Sequence, residues 1–205
     1  MTTVHLIHGI RSREGGAPAL LRPYFEAHGL PVSIVDYGYA RGLLSRFQNS
    51  RRAKMISKGV RPEDVIVGHS NGGTLAWMIQ KLVPVAGLVL IHPALDEDVR
   101  FRRAGWVDVY HCASDHVVEM SEWFGFFDLF PHPYGRLGAV GYIGKDQHVT
   151  SIDDGRLTVD LRKMNEALPP VRGHSEIFAP THIEPWGRYI AGRVAWRLGR
   201  TVKTV

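Results

Sequence analysis

The stretch Val65-Ile66-Val67-Gly68-His69-Ser70-Asn71-Gly72-Gly73 constrains the fold more than any other part of the chain. It passes from a β-branched apolar run, through a Gly-x-Ser-x-Gly turn, into a segment with helical spacing. A strand that ends here and a helix that starts here leave room only for a sharp turn. Glycines on both sides of the serine remove Cβ atoms that would collide in it. Ser70 then stands at the carboxyl end of a strand and the N-terminus of a helix. The helix dipole and unpaired backbone N–H groups converge at that point. Ser70 is therefore a candidate nucleophile.

The chain has 205 residues, of which 44% are hydrophobic. That is enough for one domain with a sizeable core, and no linker-like, repetitive or low-complexity stretch divides it. A single domain over residues 1–205 is expected. The N-terminal Met-Thr-Thr-Val-His-Leu-Ile-His-Gly-Ile has neither the charged region nor the long apolar region of a signal peptide. No run reaches the length needed to span a bilayer. Cys112 is the single cysteine. It excludes an internal disulfide, fits a reducing, cytoplasmic setting, and in its apolar surroundings reads as a buried strand residue.

Short β-branched runs alternate with helical patterns along the chain. Strands are expected at Val4–His8, Val32–Asp36, Val65–Val67, Gly87–Ile91, Val107–Cys112 and Val149–Ile152. Helices are expected at Pro18–His28, after Arg41, at Asn71–Leu82 and at Glu184–Leu198. This alternation predicts an α/β fold, a three-layer α/β/α sandwich around a mainly parallel sheet of about six strands. Ligands of such sheets bind at the carboxyl ends of the strands. That rule nominates His8-Gly9-Ile10, Asp36-Tyr37, His69-Ser70, His92-Pro93 and Ala113–Asp115 as rim positions. Ser70 is among them without reference to any motif.

The net charge is +5. Much of the excess falls between Arg41 and Lys58, in Arg41, Arg46, Arg51, Arg52, Lys54 and Lys58. An anion- or nucleic-acid-binding face is one reading of this run. A solvated helix face is the better one, because Leu43, Leu44, Phe47, Met55 and Ile56 supply an apolar side and no nucleic-acid module accompanies the charge.

With Gly68–Gly72 and His8-Gly9 placed after parallel strands, the chain resembles the α/β-hydrolase superfamily, over nearly its whole length and in element order. The resemblance implies a nucleophile–acid–histidine order along the chain. It makes Ser70 the nucleophile and Asp115, in the loop after a late strand, the acid. Asp96 is the second candidate for that place. His174, in a loop before the last helix, takes the role of base, with His182 and His148 as alternatives. The backbone N–H groups of Ile10 and Asn71 become the oxyanion donors. His69, inside the turn, packs or tunes it and is assigned no catalytic step.

Tyr37 and Tyr39, after a strand end, are expected to wall a substrate site. Trp123, Phe124, Phe126 and Phe127 read as the apolar face of a packed helix. Only His92 to Trp106 separates two late strands, too short for the lid that many family members insert there. The family's two leading strands are also missing, so the resemblance is to a small, lidless member. It implies a serine hydrolase acting on carboxylic esters, small or acylated molecules, with thioesters, amides and acyl transfer as variants on the same triad. Acyl transfer through a serine requires no cofactor, and the histidines form no metal signature. A non-catalytic interaction protein on the same scaffold is the alternative of a different class.

Overall fold

The computed structural model describes residues 1–10, 16–38, 44–117, 135–155 and 168–200. Six strands form one sheet: β1 (Val4–Ile7), β2 (Val32–Val35), β3 (Val65–His69), β4 (Val85–Ile91), β5 (Ala104–His111) and β6 (Val149–Asp153). Their order is β2-β1-β3-β4-β5-β6, and every neighbouring pair is parallel. The helices are α1 (Arg22–Ala27), α2 (Leu44–Ser57), α3 (Asn71–Leu82), α4 (Leu137–Val140) and α5 (Ile183–Arg197). Short 3-10 turns occupy Ala17–Leu21 and Glu176–Phe178.

Strand periodicity divides the core into two layers. Val65, Val67, Val89, Ile91, Trp106 and Tyr110 face one side, packing with Phe25 of α1 and Trp186, Ile190 and Val194 of α5. The intervening Ile66, Leu88, Leu90, Val107 and Val109 face the other, with Ile56 of α2 and Leu75 and Ile79 of α3. Both faces of the central strands are covered, which is why they read as unbroken apolar runs. On the α5 side, Asp108 of β5 is buried in the first layer. Arg193 donates to it through Nε and Nη2 at 2.5 and 3.0 Å, and Arg197 through Nη2 at 3.0 Å. This paired carboxylate ties α5 to the middle of the sheet.

The expected α/β architecture with about six strands is the observed one, and several boundaries move for physical reasons. The helix expected over Pro18–His28 divides into the 3-10 turn and α1. Pro23 has no N–H to continue a helix from the preceding turn and stands instead within the first residues of α1. β4 starts at Val85, not Gly87, because Gly87 lies inside the strand. The Trp106 indole occupies the space its Cβ would take. β5 starts at Ala104, which pairs with Val85. On α2, Ile56 is buried as expected, but Met55 is 55% exposed. Arg51, Lys54 and Lys58 are exposed, as on a solvated face. The stretch between β4 and β5 is residues 92–103.

β1 connects to α1 on one face of the sheet, whereas β3 connects to α3 on the other. The crevice between the carboxyl ends of β1 and β3 is thus a topological switch point, where α/β sheets bind ligands.

Candidate active site

Ser70 sits at this crevice, between β3 and α3. Its backbone has φ 56° and ψ −123°, a conformation that non-glycine residues rarely adopt and that marks functional turns. Its own backbone pins it there: Ser70 N donates to Ile91 O at 3.0 Å, and Ser70 O accepts from Gly73 N at 2.9 Å. The flanking glycines are needed for close approach. A Cβ on Gly68 would overlap the Gly72 and Gly73 backbone, and one on Gly72 would overlap the Ile7 and His8 carbonyls. Ser70 is 9% exposed.

The His8-Gly9 loop lies directly against the turn. A Cβ on Gly9 would stand 3.1 Å from Ser70 Cβ and 3.5 Å from Ser70 Oγ. The loop's carbonyls are held from behind. Tyr37 Oη donates to His8 O and Gly9 O at 2.8 and 3.0 Å, and His8 Nδ1 donates to Gly9 O at 2.7 Å. The Tyr37 ring stacks on His8 with centroids 4.1 Å apart. Asn71 Nδ2 reaches Tyr37 Oη at 3.3 Å, and Asn71 and Asn49 exchange amide hydrogen bonds. Because the peptide between Gly9 and Ile10 is trans, holding the Gly9 carbonyl toward Tyr37 turns the Ile10 N–H the opposite way.

Asp115 follows β5 and is fully buried. His174 Nδ1 donates to Asp115 Oδ2 at 2.7 Å. The two residues are far apart in sequence, and the loops after β5 and before α5 bring them together. The His174 carbonyl accepts two further imidazole donors. His69 Nε2, from the serine turn, reaches it at 2.9 Å, and His92 Nδ1, from the end of β4, at 2.7 Å. The other face of His92 meets Asp154 Oδ2 at 2.9 Å. Burial, with the nearby His174 and His92, drives the His69 imidazole well below its usual range. It is therefore a neutral Nε2–H donor. Burial opposes charge on His92 as well, but Asp154 and Asp115 outweigh it and raise its pKa. Burial in turn raises Asp154.

His92, Asp115 and His174 each present a ligand atom, all within 4.8 Å of one another. That spacing would accommodate a cation. It also follows directly from the hydrogen bonds just described, which already use these atoms.

The alternatives point elsewhere. His182 immediately precedes α5 and approaches Pro170 O at 3.3 Å. His148 donates to Phe101 O at 2.8 Å. Asp96 packs against Gly135. Tyr37 is 7% exposed, and its hydroxyl bonds the His8-Gly9 loop. Tyr39 lies outside the described residues, as do Trp123, Phe124, Phe126 and Phe127. His92 is among the rim positions expected from the sequence, where no role follows for it, and no sequence motif marks Asp154 or Asn49. The left-handed backbone of His92, φ 44°, is the sign that marks it, and it exists only in three dimensions.

No protein-family model matches the chain, and no curated protein matches it. Solved structures do. One is a Xanthomonas campestris protein classed in the alpha/beta hydrolase superfamily, with TM-score 0.57 and 16% identity over 96% of this chain and 99% of that one. Another is a Thermoplasma acidophilum protein classed as a CIB-like hydrolase, with TM-score 0.55 and 16% identity over 94% and 86%. A pyrethroid hydrolase aligns with TM-score 0.50 and 16% identity over 93% and 96%. The chain has the α/β-hydrolase fold.

Proposed function

We propose that this protein is a serine hydrolase that cleaves carboxylic esters through an acyl-enzyme intermediate. The observation that carries this reading is the 2.7 Å contact between His174 Nδ1 and Asp115 Oδ2, on the same strand-end rim as the strained Ser70 turn. A serine hydroxyl is a poor nucleophile until a positioned base takes its proton. In this mechanism Ser70 Oγ attacks the ester carbonyl and His174 Nε2 accepts its proton. Asp115 keeps the His174 proton on Nδ1, leaving Nε2 free to act, and stabilises the imidazolium that forms. The oxyanion accepts hydrogen bonds from the N–H groups of Ile10 and Asn71. The intermediate collapses as His174 protonates the leaving alkoxide. Water, deprotonated by His174, then releases the acid and restores Ser70.

Tyr37 acts as a support of the oxyanion loop in this scheme. The hydrolase names of the structural neighbours favour the same reaction class. Among the described residues no helix is long and apolar enough to cross a membrane, and the substrate is taken to be a small or acylated molecule.

A fluorophosphonate probe should label the wild type and leave Ser70→Ala unlabelled, with ester turnover falling by about 10⁶. Equal labelling of the two proteins would reject the assignment. A panel of matched esters, thioesters and amides ranks the leaving groups.

A further inference from the structure

His174 is gripped at both ends. Its ring is held by Asp115 through Nδ1, and its main-chain oxygen is held by His69 and His92. A carbonyl oxygen has two lone pairs, and here both are taken by imidazole N–H groups from two different strand ends. His69 belongs to the serine turn itself, so one of these bonds joins the base loop directly to the nucleophile. The other bond comes from a residue with an unusual setting. His92 is fully buried, has a left-handed backbone, and is enclosed by α4, where a Cβ on Gly138 would collide with it. Its backbone N donates to Tyr110 O at 3.0 Å.

Asp154 reaches His92 from the end of β6, and its own backbone links neighbours on both sides. Asp154 N donates to His111 O at 3.0 Å, and Val171 N donates to Asp154 O at 2.8 Å. Val171 lies just upstream of His174. The groups around His92 are Asp154, Asp115, His174 and His69, with His111 beside Asp154. Whichever of His92 and Asp154 carries the proton between them, Nδ1 of His92 must keep its own to bond a carbonyl. A fully apolar pair would fill this space without the desolvation cost of buried polar groups.

We propose that His92, oriented by Asp154, is a positioning residue for His174: it holds the main-chain carbonyl of the base and so fixes where the ring meets Ser70. The inference rests on the serine-hydrolase reading for its catalytic consequence, but not for the grip itself. Displacement of a base by about 1 Å is enough to cost up to about 100-fold in rate.

The test compares His92→Asn with His92→Ala. Asparagine tolerates a left-handed backbone, and its amide nitrogen stands close to where Nδ1 stands in histidine. Alanine supplies no donor. Folding is verified by circular dichroism. His92→Ala should lose about tenfold or more in kcat with KM within about twofold, and His92→Asn should recover most of the loss. The proton NMR signal of His174 Nδ1–H should be sharp in the wild type, broaden or vanish in His92→Ala, and return in His92→Asn.

Unchanged kcat and an unchanged signal in folded His92→Ala would overturn the proposal. So would equal losses in the two variants, since a missing donor would then not be the cause. Should His92→Ala fail to fold, ¹⁵N-histidine spectra of the wild type decide: a protonated His92 Nδ1 at neutral pH supports the grip, and an unprotonated one overturns it. Absence of Ser70 labelling with these NMR signatures intact would reject the hydrolase reading and leave the grip standing.

Discussion

Asp108 and Asp115 belong to the same strand and the loop that follows it, and both are buried, at 1% and 0% exposure. They differ in their partners. Asp108 is held by Arg193 and Arg197, and guanidinium groups do not release their protons in proteins. Burial disfavours the Arg193 charge, but Asp108 more than compensates and raises its pKa further. That pairing ties α5 to the sheet. Asp115 is held by an imidazole, a side chain that can both donate and accept a proton. On the proposed mechanism, depth of burial does not separate the structural carboxylate from the catalytic one. The chemical type of the partner does, together with position: Asp108 lies mid-strand between guanidinium groups, and Asp115 lies at the carboxyl rim beside an imidazole.

The sharpest way to break this comparison is to remove each carboxylate in turn. Asp115→Asn keeps the size of the side chain but can lock His174 in the wrong tautomer, and should lower kcat/KM by about 10⁴. Its thermal midpoint should move by only a few degrees. Asp108→Ala should do the reverse. Losing the acceptor leaves two part-buried guanidinium groups without their shared carboxylate, at a cost of about 3 kcal/mol. For a chain of this size the thermal midpoint should fall by about 10 °C. Labelling at Ser70 below that temperature should be unchanged. Melting curves and probe labelling on the two variants decide, and crossed outcomes would mean that the roles are reversed.

A third carboxylate extends the contrast to the opposite ends of the strands. Asp64 precedes β3 and accepts from Thr3 N at 2.8 Å, Arg61 N at 2.9 Å, Arg61 Nη2 at 3.0 Å and His5 Nε2 at 3.1 Å. Burial alone would raise its pKa, but bonds from Arg61, Thr3 and His5 outweigh that and lower it from 3.8 to about 2. A lowered carboxylate stabilises the fold above its unfolded pKa and loses that contribution as pH falls through the folded one. Asp64→Asn should therefore be less stable than the wild type by about 1–2 kcal/mol at neutral pH. The gap should close between pH 3.8 and about 2. Urea titrations across that range check it, and a gap that widens toward acid would contradict the assignment.

Local features of this molecule were legible in the sequence because their causes are local. The Ser70 turn is written in adjacent residues, since close packing at the turn demands glycines next to the serine. The sheet was legible from its β-branched runs, and Pro23 could have announced the division of the first helix. What was not legible is pairing across the fold. His92 and Asp154 are 62 residues apart, and Asp108 and Arg193 are 85 apart. No periodicity connects such partners; only the strand order and the packing of α5 on the sheet bring them together. Tyr37 stands between these cases. Its place after β2 was evident, but the inward direction of its hydroxyl depends on His8 and Asn71, from two other elements.

Tyr37 also offers the finest test of the comparison, because it separates holding from reacting within the site itself. Its hydroxyl donates to the carbonyls of His8 and Gly9 and accepts from Asn71. Tyr37→Phe keeps the ring that stacks on His8 and removes only these bonds. If the hydroxyl fixes the Gly9 carbonyl, and through the trans peptide the Ile10 N–H, then its loss lets the oxyanion donor wander. Direct removal of such a donor costs about 10²–10³ in kcat, so loosening one should cost less, about tenfold. KM should stay nearly constant, since the donor matters most when charge has formed on the substrate oxygen. A change confined to KM would instead make Tyr37 a substrate contact, as its position after β2 first indicated. Steady-state kinetics of the variant on one ester distinguishes the two outcomes.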